Sequence, residues 1–165
     1  MTKQKTLDDL FLDTLKDIYF AERQILKALP KMARAARSED LAEAFRNHKE
    51  ETEGQVERLQ QVFEILGKPA RGKTCEAIQG IIAEGEEIIE EFKGAPALDA
   101  GLISSAQAVE HYEMARYGTL LAWARQLGKK DVVKLLEETF EQESKADLEL
   151  SKLAEKSVNA SAEAV

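Results

Sequence analysis

The cysteine count excludes disulfide bonding at once: this chain of 165 residues has one thiol, Cys75. A lone cysteine cannot close an internal loop, and such scarcity is usual in reducing compartments, so a cytoplasmic setting is expected. No histidine neighbours Cys75 in the sequence. A surface thiol or a small buried apolar group is therefore the expected role, rather than a nucleophile. Proline and glycine are scarce too, at three and nine residues, too few for the many tight turns of an all-β domain. Positive charge is in deficit: 23 Lys and Arg against 31 Asp and Glu leave a formal charge of −8. A general nucleic-acid binder needs a basic face to neutralise phosphates, so no nucleic-acid partner is expected. Long apolar runs are missing as well. Nothing approaches the roughly 20 apolar residues that span a bilayer, and the opening MTKQKTLDDLF lacks an apolar signal core, so no membrane association is expected.

What remains is rich in Ala, Glu, Lys, Leu and Arg, a composition that favours helix. From about Thr6 to Ala36, Leu7, Leu10, Phe11, Leu15, Ile18, Ile25, Leu26, Leu29 and Met32 recur at helical spacing. Thr6 with Asp9 three residues on reads as a capping box, and Pro30 is expected to kink this helix or break its last turn. A second helix starts near Ser38 and stops at Gly67, with Pro69 just beyond. After the basic loop KPARGK, a shorter helix runs from about Thr74 to Phe92. A third main helix covers about Pro96 to Leu127 and stops at Gly128; a fourth covers about Lys130 to Ser157. The connection between the second and third main helices is long and carries a helix of its own. That lets the two run parallel, which is the ferritin-like connection. The expected fold is an all-α four-helix bundle with a helical crossover, five helices in total. The domain spans residues 1–157, and the polar tail 158–165 is expected to fray.

The apolar stripes of these helices are interrupted by acids. At about 100° per residue, Glu22 falls between Ile18, Ile25, Leu26 and Leu29 on the first helix. Glu110 and Glu113 lie one turn apart among Ala106, Met114, Tyr117 and Leu121 on the third. Glu143 aligns with Val132, Leu136, Thr139 and Leu150 on the fourth, and Asp147 follows one turn later, towards the edge of that face. The second helix offers His48, Glu51 and Gln55 at spacings of three and four, with His48 central. Carboxylates gathered in a low-dielectric core repel one another, and an unpaired buried ion costs several kcal/mol. Either protons or cations must compensate. Carboxylates with imidazole suit iron or manganese, and thiolate ligands are absent from the set. The candidate metal ligands are Glu22, Glu51, Glu110, Glu113, Glu143 and Asp147, with His48 and Gln55 left open. The bland alternative is a polar core in which carboxyls share protons or pair with Arg23, Arg116 or Lys145.

Four stretches carry a resemblance over nearly the whole chain: DIYFAERQILKALPKMA, NHKEETEGQVERLQQVF, AQAVEHYEMARYGTL and LLEETFEQESKADLEL. They resemble the ferritin-like bacterial stress proteins of the YciE/YciF type, relatives of the peroxide-detoxifying di-iron rubrerythrins. Rubrerythrins also carry Glu-x-x-Glu on the third helix, matching Glu110 and Glu113, and a single Glu on the first, matching Glu22. They place Glu-x-x-His on the second and fourth helices, where this chain has Gly54 and Ala146 three residues after Glu51 and Glu143. Gln55 and Asp147, one residue later, are the possible substitutes. No rubredoxin-like four-cysteine module is present, so a redox cycle needs an external electron donor.

The resemblance implies a stress protein with two Fe per chain, Mn being possible, and oxidase- or peroxidase-like chemistry. A non-enzymatic, homodimeric structural protein with little metal is the rival of a different class. Iron storage is a third option that requires a hollow cage. A homodimer is expected, with one face of the crossover helix packing on the bundle or on a second subunit.

Overall fold

Thr6 opens the first helix as its residue type suggests. Its hydroxyl accepts the Asp9 N–H at 3.3 Å, while the Asp9 carboxylate accepts the Thr6 N–H at 2.9 Å, closing the capping box. The computed structural model describes residues 2–164. Helix α1 spans Leu7–Ala35, α2 Glu39–Ile65, α3 Glu76–Glu91, α4 Leu98–Gln126 and α5 Lys130–Leu153. No strand occurs among the described residues. The five main helices and the long crossover are those the periodicity predicts.

Two boundaries depend on glycine. Gly67 and Gly128 adopt φ of +64° and +69°, where a Cβ would be strained. After Gly67, Lys68 N–H reaches back to the Phe63 carbonyl at 2.9 Å; after Gly128, Lys129 N–H reaches Ala124 at 2.9 Å. Both are the Schellman closures that a Gly just past the last apolar residue announces. Pro30 does not end α1, which continues to Ala35. The ring removes one helical donor near the C-terminus, and packing of Leu29 and Met32 on the core holds the last turn. At the other end of the chain, the segment expected to fray is helical. A π-helical turn, Ala154–Val158, buries Val158 and leads into a short α6, Asn159–Glu163.

Helix α1 packs along α2 and α4 along α5, while α2 faces α5 and α1 faces α4. The relative direction of the two pairs is set at one corner. Asp99, in the first turn of α4, is buried and accepts the N–H groups of Arg37 at 2.8 Å and Ser38 at 2.7 Å. Helices α2 and α4 therefore begin at the same end of the bundle and run parallel. The crossover that makes this possible lays α3 over α1 and α4. Ile78 is fully buried there, and Ile81, Ile82, Ile88 and Ile89 pack partly buried against the core. The acidic side of α3 stays in solvent. Burial of each such side chain contributes roughly 1.5–3 kcal/mol when complete.

Cys75 is buried and starts α3: its sulfur accepts the Ile78 N–H at 3.4 Å. It also lies 3.0 Å from the Tyr112 hydroxyl, which donates to Asp17 at 2.5 Å. Burial, above all, pushes the thiol up, so it remains protonated and serves as a donor to the tyrosine oxygen. One thiol thereby ties the head of the crossover to both α1 and α4.

Candidate metal centre

The acids picked out from the stripes are inside. Glu22, Glu110, Glu113 and Glu143 are each 0% exposed, and His48 is 7% exposed. The reason is the one periodicity supplies: each occupies the core-facing angle of its helix, between apolar neighbours one turn away on either side. Single ligand atoms from His48, Glu110, Glu113 and Glu143 all lie within 4.8 Å of one another. Helices α2, α4 and α5 thus deliver one imidazole and three carboxylates to a common point. Glu22 reaches the same region from α1. Burial first, and then the charge of Glu143, hold its carboxyl well above the usual range, while Arg58 opposes the shift.

The contacts inside the cluster are close without being satisfied. His48 Nδ1 stands 2.8 Å from Glu110 Oε1 and Nε2 stands 3.9 Å from Glu143 Oε1. Yet Nε2 and both oxygens of Glu22, Glu110, Glu113 and Glu143 have no hydrogen-bond partner within the protein. The Nδ1 contact has the distance of a hydrogen bond but not its alignment. Two donors held about 2.1 Å from one ion at right angles to each other sit about 3 Å apart, which is the spacing found here. Glu110 is pushed well up by burial and then by the neighbouring Glu143 carboxyl, with Glu22 and Asp147 adding to it. Polar atoms buried without partners are rare and costly. So many of them around one point form a group that could hold a metal ion, and carboxylate with imidazole fits a hard to intermediate divalent ion.

Of the remaining expected ligands, Glu51 and Asp147 lie towards the rim, while Gln55, left open, lies inside. Glu51 is half-buried; burial raises its carboxyl, the His48 charge opposes this, and Glu143 adds to it. Asp147 retains 16% side-chain exposure, with Oδ2 3.1 Å from the Nε2 of exposed His111 and Oδ1 buried without a partner. Gln55 is fully buried; its amide nitrogen donates to Gln142 at 3.3 Å while its oxygen is unpartnered. Glu51 lies one position off the buried line of His48, Thr52, Gln55 and Leu59, and about 100° of helical rotation carries it to the edge of the face; Asp147, one turn after Glu143, lies nearer the edge of its own stripe.

His48, central on its stripe and left open as a ligand, stands beside Glu110. Tyr117 is fully buried with an unpartnered hydroxyl. Burial raises it well above its usual range, and the charges of Glu22 and Glu143 add to this. Arg58 closes the α2–α5 side. It donates to Thr139 at 3.0 Å and Glu138 at 3.2 Å, and also bonds Gln142.

Comparison with known proteins gives a consistent picture. The family profile described as "Domain of unknown function (DUF892)" matches residues 6–163. Protein YciF of Escherichia coli K12 is 46% identical over 160 residues, covering 96% of both chains. The crystal structure of the E. coli stress protein YciF superposes with a TM-score of 0.90, covering 94% of this chain and 99% of that one. YcfI of Rhodopseudomonas palustris, named as a candidate structural protein, is 48% identical with a TM-score of 0.86, covering 89% of this chain and 94% of that one. A Xanthomonas campestris protein at 22% identity and TM-score 0.74 shares the fold, with 94% of each chain covered. Among the described residues, no helix is long and apolar enough to cross a membrane.

Proposed function

The chain belongs to the DUF892 family, and from that premise together with the buried cluster we propose a homodimeric stress protein whose bundle holds a di-iron centre and protects against oxidants. The E. coli homologue is itself described as a stress protein. The observation that carries the reading is the convergence of His48, Glu110, Glu113 and Glu143 within 4.8 Å, wholly inside the bundle. Glu22, Glu51 and Asp147 complete the proposed ligand set, with manganese as the alternative ion. Iron bound there would supply one-electron redox chemistry towards dioxygen or peroxide.

The chain's own residues do the rest. Glu22 and Glu110 hold protons in the absence of cations and release them when cations arrive, keeping the core near neutrality. Tyr117 keeps its proton in the core, because burial and the charges of Glu22 and Glu143 disfavour the phenolate. Asp147, with one oxygen buried and the other on exposed His111, links the interior to solvent and can pass a proton released by Glu22 or Glu110 outward. The surrounding apolar side chains keep bulk water from the donors. Electrons come from an external donor.

The test is anaerobic addition of Fe(II) to the purified protein, with metal counted per chain, followed by exposure to peroxide. Two irons per chain and rapid oxidation are expected; Glu22→Ala with Glu110→Ala should abolish tight uptake. Unchanged loading in that double variant overturns the assignment. Sedimentation should give a dimer, against the cage that iron storage needs.

A structural, metal-poor protein is favoured by one feature: Gly54 and Ala146 stand where a pair of histidines would complete the rubrerythrin pattern. The naming of the R. palustris relative agrees with that reading. It predicts no iron uptake, and higher thermal stability when the core acids become Gln.

A further inference from the structure

Beside the cluster runs a second feature that the site does not use. A cavity of about 30 Å³ lies between α1, α3 and α4. Its walls are apolar: Ile25 and Ala28 from α1, Ile82 from α3, Ala106 and Val109 from α4. Its lining also includes two buried donors, His48 and Glu110, and two exposed residues, Lys31 and Glu86. Those last two form an ion pair of 3.2 Å with side chains 59% and 53% exposed. The cavity therefore connects a surface ion pair, bridging the first helix and the crossover, to one side of the carboxylate–imidazole cluster.

Size and polarity together select what enters. A cavity needs about 10–15 Å³ to hold one water, and a water also needs two to four polar partners. The space suffices for one small molecule, but between the ion pair and the cluster the lining offers a single hydroxyl residue, Ser105, fewer polar partners than a water needs. A dry apolar cavity takes up small apolar molecules instead. A peroxide molecule would give up its hydrogen bonds with water on entry and find at most the Ser105 hydroxyl along the walls. Ions face the same obstacle more severely. Acyl chains and aromatic rings are too large.

We propose that this cavity is a binding and entry site for a single small, uncharged, apolar molecule of the size of dioxygen, opened and closed at the Lys31–Glu86 pair. That its inner end serves chemistry rests on the di-iron reading; the binding site itself does not.

The test uses xenon as the probe, on metal-free protein under gas pressure, read by diffraction and by xenon resonance in solution. One xenon is expected between Ile82, Ala106 and Val109 in the parent, and it should be lost in both Ile82→Trp and Ala28→Leu. The two variants fill the space from different helices at half-buried positions, and circular dichroism checks that each is folded. Removing the surface pair with Lys31→Ala should speed xenon exchange without changing its position. Absence of xenon from the parent cavity, or its retention in either folded filled variant, overturns the proposal. In Fe(II)-loaded protein, the filled variants should lose dioxygen uptake while keeping peroxide consumption. Xenon bound as expected in a protein that takes up no iron would leave the cavity standing and remove the di-iron reading. Iron loading without xenon would do the reverse.

Discussion

Glu22 on α1 and Glu143 on α5 are both fully buried, neither accepts a hydrogen bond, and the charge of the second lifts the first beyond the effect of burial. Their approach has a consequence for stability in the absence of metal. In the folded protein Glu22 and Glu110 titrate well above the ordinary value of 4.5. A carboxyl raised on folding stabilises the native state fully below its unfolded value, and that contribution is lost as pH rises through the folded value. Metal-free protein should therefore lose thermal stability as pH climbs from about 4.5 towards neutrality, each group contributing up to about 1.4 kcal/mol per pH unit. Glu22→Gln should flatten the slope, as measured by calorimetry across pH with chelator present. A variant slope equal to the parent's contradicts this account.

The same protons give a second prediction. A divalent ion entering the cluster competes with them, so binding near neutral pH should release protons. Titration calorimetry in buffers of different ionisation enthalpy measures the number directly. Release should shrink in Glu110→Gln, which has no acidic proton to give up.

His48 supplies the imidazole beside Glu110. His48→Ala should weaken metal binding by about 10–100-fold even if the ring only orients the carboxylate, and by more if it ligates. Competition with a chelator of known affinity separates these cases. Unchanged affinity removes His48 from the site.

How much of this was legible beforehand depends on the scale of the feature. Helix ends were readable because local chemistry determines them: Thr6 with Asp9, Ser38, Gly67 and Gly128 act on backbone groups a few residues away. The buried acids were readable because one residue on the wrong side of a stripe stands out against its neighbours. The depth of the flanking groups was not, since Glu51 differs from the buried line of α2 by one residue and helix rotation decides how far it reaches inward. Nor was the corner at Asp99. An acid in the first turn of a helix reads as a partner for that helix's own dipole, whereas this one bonds Arg37 and Ser38, more than 60 positions earlier.

That corner yields a stability prediction. Asp99→Ala leaves two backbone N–H groups without acceptors where α1 turns into α2. The cost should be roughly 1–3 kcal/mol for each group kept from water, measured by denaturant unfolding, with Asp99→Asn losing less because one acceptor oxygen survives.

Close packing of the crossover gives the last. A Cβ built on Gly101 would stand 2.7 Å from Ile88 Cγ2. Gly101→Ala should destabilise by about 1–3 kcal/mol through forced displacement of α3. Ile88→Ala in the same chain should recover part of the loss. An additive double variant means that the two do not touch.

The donors of the cluster are dispersed along the polypeptide from Glu22 to Glu143. A chain still emerging from the ribosome owns no complete chelate, because its opening hairpin carries Glu22, His48 and Glu51 while their counterparts are yet to be translated. Ion choice is thereby deferred until the closing helix docks. A metal held by all of these donors would be drawn from the ion pool met after release, and not from whatever was at hand during synthesis.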